Sequence, residues 1–518
     1  MPASFRASSA TAAVPRHHLA ALGTLVATVT LSGVWASSLQ GCDEAYYAHM
    51  ARGMLESGDF LVPRYDGAAP LDKPPLLMWL VAASFRVFGV GDVQARLPVL
   101  LVGAAVPFAV WWGIPQTAAF RFVAASTLAT TLLYAQLQHM VMTDLVAFVG
   151  LVGVAVGLLR AAEGQGWGWV AGLGLGVAAL AKGPLAALFV LASLPYAVRH
   201  REELLRSGFL ARAIPGILPA AAWYALVWRE FGREFVDVHF GVFLFRLAAQ
   251  GIAAESPLGP AFYLVSALWR FLPWWPLLPA ALVAGWGAAR AEDRTAEWSV
   301  GFTAVYFTAI TAMRTKTDHY ALPLVLPAAL LVAGWVTGGG GSRAAESLSS
   351  VLCRFLGGLL AVGGTAAAAG LLAAPLQLRL PAAALGLLVA WAIVRCGNLV
   401  RRGEREAAWS AVLWPVVLAY AVAGVALRPW DAEPGLRTVA KALPAGEPVV
   451  YVAGQPLSQN SCPYLALRFR VDRPPRVISP AEFPSAPPGW YVGRAGDLVP
   501  RAQDRVVVRS DWVLVHRP

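Results

Sequence analysis

"LLMWLVAASFRVFG", residues 76–89, decides how the rest of the chain is threaded. A helix of 14 residues rises about 21 Å, well short of the roughly 30 Å of a bilayer core, and Arg86 interrupts it. Two readings follow: a marginal crossing, or a re-entrant or interfacial helix that returns to the side it came from. Arginines elsewhere separate them. If the segment does not cross, Arg121, Arg160, "RHREELLRSGFLAR" from Arg199, "ARAEDR" from Ala289, Arg343 and "RCGNLVRRGER" from Arg395 all fall on one side, as cytoplasmic loops do. If it crosses, every later loop inverts and these clusters face outward. The non-crossing reading is adopted.

Outward from that segment lie longer apolar runs bounded by charges, proline or glycine, near 18–39, 96–114, 118–138, 145–160, 167–181, 184–199, 212–229, 261–288, 297–313, 320–337, 351–374, 381–397 and 407–427. With 58% hydrophobic and 14% charged residues, the chain exceeds what a soluble domain tolerates. Its net charge of +11 is therefore read as loop topology and not as nucleic-acid binding. The first run follows Arg6, Arg16 and His17, lacks a convincing cleavage site, and is read as an anchor with its N-terminus inside. After Arg428 the character changes: "GEPVVYVAG" and "DRVVVRSDWVLVHRP" are short strand-like runs between prolines and glycines, and "LRTVAKAL" has helical spacing. The expected fold is an all-α polytopic membrane bundle of about thirteen crossings with interfacial and re-entrant helices, residues 1–427, followed by a small extracytoplasmic α/β domain, residues 428–518. Among the 4 cysteines, Cys353 and Cys396 lie in or beside apolar runs, while Cys42 and Cys462 alone would meet an oxidising compartment. No spacing ties those two together, and they are expected to stay unbonded.

This threading puts the loops after Leu39, around Asp144, around His239 and at "RTKTDH" from Arg314 on one outer face. The first holds "DEAYYAHMARGMLESGDF", in which Tyr47, Met50, Met54 and Leu55 have helical spacing, so an amphipathic interfacial helix stopping near Gly58 is expected. Asp43 and Glu44 open it, where carboxylates are favoured by the helix dipole, so capping and chemistry compete as explanations. In "LDKPP", Asp72 and Lys73 precede two prolines; Lys73 is either a snorkelling anchor or a fixed cation for a lipid-linked phosphate. Asp144 stands alone at the bilayer boundary, a costly place for a carboxylate without work or a partner.

Taken in order, D-E-x-x-Y, "MLESGDFLVPRYDG", K-P-P before an apolar run, "FGVGDVQARLP", the lone Asp144 and "LAKGP" near Ala181 resemble the polyprenyl-phosphate-sugar-dependent glycosyltransferases of GT-C fold. Bacterial transferases of 4-amino-4-deoxy-arabinose to lipid A are the nearer likeness and protein O-mannosyltransferases the more distant. The resemblance implies that Asp43 is the principal catalytic residue and Asp144 its partner, with Lys73 holding the lipid phosphate. It also implies a divalent metal, zinc or magnesium or manganese, shared by Asp72 and His239, although a histidine among aromatics is as readily a packed one. Glu44 and Tyr46 line the site in this reading; Tyr46 stands where the family commonly has arginine, and Arg246 is the candidate to compensate. Lys316, His319 and Tyr320 in "RTKTDHYALP" either contact phosphate or sugar or serve as interfacial anchors. Lys182 is read as a snorkelling residue.

The implied activity is an inverting or metal-modulated transfer of a sugar from an undecaprenyl-phosphate carrier to a lipid, glycan or protein acceptor. Its implied place is the outer face of a bacterial inner membrane, where nucleotide sugars are absent. A transporter or flippase is the rival class, but transporters bury charge at the midplane and show repeats, which this sequence does not.

Overall fold

The computed structural model describes residues 16–32, 39, 41–246, 249, 256–370, 376–426, 434–454 and 462–518. Helices follow one another as α1 (Arg16–Leu31), α2 (Gly41–Ser57), α3 (Leu76–Phe88), α4 (Asp92–Gly113), α5 (Ala118–Thr130), α6 (Leu132–Gln138), α7 (Thr143–Ala162), α8 (Gly168–Lys182), α9 (Leu185–Arg199), α10 (Arg201–Arg206) and α11 (Phe209–Val236). Helices Phe262–Arg270, Leu278–Arg290, Arg294–Ala312, Val325–Gly338, Arg343–Gly370, Leu376–Arg401 and Arg405–Ala426 complete the bundle. Among the described residues 7 helices are long and apolar enough to span a membrane, or 8 if α5 and α6 are one span bent by 65°.

The deciding segment, α3, has 13 residues and is not among the helices long and apolar enough to span a membrane. Its flanks are held by one and the same C-terminal unit: Arg52 and Asp66 before it pair with Asp472 and Arg468, and Asp92 after it pairs with Arg437 and Arg470. Two prolines open α3, Leu77, Met78, Val81, Ala82 and Phe85 bury its apolar face, and Gly89 at φ 81° ends it. Phe85 stacks on Phe469 at 6.1 Å, so the helix lies between bundle and C-terminal unit.

Two antiparallel helices carry much of the site, and glycine lets them approach. A Cβ on Gly150 would lie 2.4 Å from the Gly174 carbonyl oxygen, and one on Gly157 would lie 2.4 Å from the Ala171 nitrogen. The seam between α7 and α8 is thus backbone against backbone, the small-residue packing that membranes favour in the absence of a hydrophobic drive between helices. On its other face α8 meets α11 as closely, at Gly172 and Gly216. Arg160 at the far end of α7 donates to the Gly113 and Trp112 carbonyls, Arg294 to the Ala162 carbonyl, and Glu297 takes Arg199 and His200. The arginine-rich turns therefore gather at the end opposite α3.

Two apolar runs are broken where the sequence reads as continuous. Run 118–138 bends at Thr131, where the Leu132 amide donates to the Leu272 carbonyl at 2.9 Å instead of continuing α5. Run 261–288 breaks at Phe271–Trp274 around a cis Leu272–Pro273 bond and a short 3-10 turn, Trp275–Leu277. In both, proline or a β-branched threonine interrupts the helical ladder.

The C-terminal unit is a 5-stranded mixed sheet in the order β2-β1-β3-β5-β4, from β1 (Val449–Val452), β2 (Arg476–Ile478), β3 (Gly489–Arg494), β4 (Arg505–Arg509) and β5 (Trp512–Arg517). β1 runs parallel to β2 and β3, whereas β5 is antiparallel to β3 and β4. Helices Pro434–Ala442 and Cys462–Arg468 accompany it. The second packs on α2, and this changes the reading of α2. Instead of resting one apolar face on a membrane surface, α2 buries Glu44, Ala45, Tyr47, Ala48, His49, Met50, Ala51 and Met54 between the bundle and the C-terminal unit. Cys42 and Cys462 are joined in a disulfide across 420 residues, against the expectation from sequence.

Candidate active site

Asp43 and Glu44, adjacent in the first turn of α2, have opposite environments. Glu44 is wholly buried; Arg96 Nε and Nη2 hold its two oxygens at 3.0 and 2.8 Å, and the Val141 amide donates to Oε1 at 2.8 Å. It ties α2 to α4 and to the turn before α7, so it positions the site and is not itself presented to substrate. Asp43 is exposed, and no hydrogen bond or ion pair holds its carboxylate among the described residues.

The second carboxylate, Asp144, opens α7 and is 5% exposed. Lys182, the last residue of α8, pairs with it, and its ammonium sits 5.0 Å from the centre of the Tyr320 ring. Gly183 follows at φ 62°, which lets the chain leave the helix just beyond the lysine. His319 packs edge-on against Tyr320 at 4.9 Å, and its charged surroundings are Asp144, Lys182, Asp43 and Asp318. Asp43 and Asp144, 101 positions apart in the chain (144 − 43), thus face one region. Tyr47 lies at the meeting point: burial raises its phenol pKa well above the ordinary value, and the charges of Asp43, Asp72 and Asp144 add to the effect. Tyr46 is likewise raised by burial, then by Asp72, and its ring lies tilted against Tyr65 at 5.2 Å.

Lys73 and Asp72 stand at the entry to α3, Lys73 Nζ donating to Asp72 Oδ2 at 2.8 Å. The other carboxylate oxygen, Asp72 Oδ1, is buried without a protein partner. His239 is close by but fully buried: its ring nitrogens meet the Leu71 carbonyl at 3.2 Å and the Tyr224 hydroxyl at 3.0 Å, inside a wall of Trp223, Phe235 and Phe240. Both nitrogens are therefore spoken for, and no group of three or more His, Cys, Asp or Glu side chains able to hold a metal occurs among the described residues. One carboxylate oxygen beside a doubly bonded imidazole does not furnish the three protein donors that catalytic metal sites offer. Among the described residues, Asp72 and His239 as placed do not by themselves fit the expected divalent ion.

Lys316 is turned away from the site. Its ammonium donates to the carbonyls of Ile310, Thr311 and Met313 at the end of helix Arg294–Ala312, using all three protons, and lies over Tyr263. Burial lowers its pKa. Such a lysine caps a helix C-terminus and has nothing left for a phosphate. The Arg246 side chain lies outside the described residues. Lys182, read from sequence as a snorkelling residue, is paired with Asp144: "LAKGP" marks it, but the partner becomes visible only once α7 and α8 are paired.

Residues 72–236 match the family described as dolichyl-phosphate-mannose-protein mannosyltransferase. An undecaprenyl phosphate-alpha-4-amino-4-deoxy-L-arabinose arabinosyl transferase of Sodalis glossinidius is 29% identical over 324 residues, 60% of this chain and 56% of that protein. One from Yersinia enterocolitica is 28% identical over 334 residues, covering 61% of this chain and 59% of that one. The aligned part is thus a little over half the length of the curated relatives it matches. The crystal structure of ArnT from Cupriavidus metallidurans bound to undecaprenyl phosphate superposes with a TM-score of 0.72 at 20% identity, over 96% of this chain and 97% of that one. In sequence and in fold, the chain is similar to the polyprenyl-phosphate-sugar-dependent glycosyltransferases of GT-C architecture.

Proposed function

We propose that the protein is an integral-membrane glycosyltransferase that moves a sugar from a polyprenyl-phosphate carrier, of the undecaprenyl type, to a hydroxyl acceptor on a lipid, glycan or protein. The observation that carries this reading is the convergence of Asp43, the Asp144–Lys182 pair, Lys73 with Asp72, and His319 with Tyr320 at the same end of the bundle as α3. Asp43 takes the proton of the acceptor hydroxyl as its oxygen bonds to the anomeric carbon. The bond from that carbon to the phosphate oxygen breaks, and its electrons leave with the lipid phosphate. Lys73, at the head of a helix that dips without crossing, meets the departing negative charge at headgroup depth. The Asp144–Lys182 pair keeps a half-buried cation near the same bond, backed by the Tyr320 face.

We also infer thirteen crossings, with the site and the C-terminal sheet facing the periplasm or exterior of a bacterial inner membrane. Arginines at the opposite end support that orientation, as does a disulfide at the site end, since such bonds persist in oxidising compartments. A transporter is disfavoured because the candidate site's charges gather at one end of the bundle and not at its middle. No step is routed through a metal. The test is sugar transfer in membranes supplied with radiolabelled polyprenyl-phosphate sugar. Asp43→Asn and Asp144→Asn should each reduce it by roughly 10²–10⁴-fold while leaving the protein in the membrane. Undiminished transfer in both variants refutes the assignment.

A further inference from the structure

We propose that the Cys42–Cys462 bond positions Asp43, so that cutting it lowers turnover while the C-terminal unit stays docked. The inference rests on the reading of Asp43 given above. Asp43 is exposed and has no side-chain partner among the described residues, so its place is set by its backbone alone. That backbone belongs to the first turn of α2, where the amides have no intrahelical acceptors and the turn frays unless it is anchored. The residue after Asp43 is anchored through the buried Glu44–Arg96 pair. One anchor is a pivot. The residue before Asp43 supplies the second, through the bond to Cys462 at the start of helix Cys462–Arg468. Bracketed on both sides, the carboxylate is fixed without contacts of its own and remains open to substrate.

The rest of the docking does not need the bond. Arg52–Asp472 at 2.7 Å, Arg468–Asp66 at 2.6 Å, and Arg437 and Arg470 on Asp92 at 2.9 and 2.7 Å hold the C-terminal unit further along α2, on the loop that follows it and on α4. None of these reaches the first turn. Of the 4 cysteines, Cys353 and Cys396 are free thiols, so a reductant has only this one bond to act on. A dithiol reagent passes two electrons and two protons to Cys42 and Cys462 and leaves as its own cyclic disulfide.

The experiment uses full-length protein in nanodiscs, oxidised and dithiol-reduced, with the Cys42→Ser/Cys462→Ser variant beside it. Hydrogen–deuterium exchange of peptides covering residues 41–46 should accelerate at least tenfold on reduction, with strands β3 and β5 unchanged. In steady-state transfer, kcat should fall at least tenfold and the KM for the lipid-linked donor stay within twofold, because Lys73 lies outside α2. Unchanged exchange in residues 41–46 overturns the proposal, and so does unchanged kcat in a fully reduced sample. Deprotection of the whole sheet with kcat and KM lost together also overturns it, since the bond would then hold the unit and not the turn. If the oxidised protein transfers no sugar at all, the functional reading fails, and the exchange measurement still decides the positional claim.

Discussion

Replacing Glu44 by Gln probes the joint between α2 and the bundle. The substitution keeps shape and leaves a carbonyl for the Val141 amide, but removes the charge that the Arg96 guanidinium grips at 3.0 and 2.8 Å. Arg96 is 4% exposed and Glu44 0%, so water cannot replace the lost partner. Breaking a buried pair from one side costs about 3–5 kcal/mol, because a charge stays behind unpaired. Removing both charges together, as in Glu44→Gln/Arg96→Met, should recover much of that, since well-packed neutral groups substitute for a buried pair at little cost. The expected coupling in the double-mutant cycle is therefore at least about 2 kcal/mol. Unfolding by SDS titration of mixed micelles, followed by tryptophan fluorescence, measures it for the four proteins. Additivity within about 0.5 kcal/mol would refute the claim that this pair fastens the helix.

Other outcomes follow from the same geometry. Lys182→Met strands the buried Asp144 carboxylate and should lower kcat/KM by roughly 10²-fold or more, with partial rescue in Lys182→Arg; a change under twofold would remove Lys182 from the site. Lys316→Met should leave the donor KM unchanged while lowering the thermal midpoint, its loss being about 1–2 kcal/mol of helix capping. Gly183→Ala puts a methyl 2.6 Å from His239 Nε2 at a φ of 62°, so both stability and transfer should drop, as thermal and kinetic assays of the purified variant would show. His49 has its pKa lowered to about 4, by burial first and the Arg468 charge second, with Asp66 opposing. The unfolded chain then binds the extra proton between about pH 6.5 and 4, so stability is full above that window and falls through it on acidification, by roughly 3 kcal/mol. Thermal midpoints across that range should fall less steeply in His49→Asn than in the wild type.

Periodicity and charge bias made the helical bundle, the shortness of α3 and the strand-rich tail legible, because run length, arginine placement and alternation are local properties. The pairing of charges was not, since each partner lies on another helix. Asp144 reads as a lone acid until α8 brings Lys182 beside it, and Glu44 reads as a capping or substrate residue until α4 brings Arg96. Lys316 misled in the opposite sense: its motif is suggestive, but three carbonyls within six residues of it are a nearer destination than any ligand. The bond between Cys42 and Cys462 spans nearly the whole chain, and no spacing rule reaches so far.

The glycine seam between α7 and α8 sets the register of the reaction centre from a distance. Gly150 against Gly174 and Gly157 against Ala171 lie in the same antiparallel frame as Asp144 against Lys182. A slip of one helical turn along that seam moves the partners about 5.4 Å apart, more than an ion pair survives. An added methyl at Gly153, half-buried two turns deeper and 3.0 Å from the Gly174 Cα, should therefore register as an enzymatic defect before it registers as a folding one, the two helices acting as the scale and pointer of a gauge.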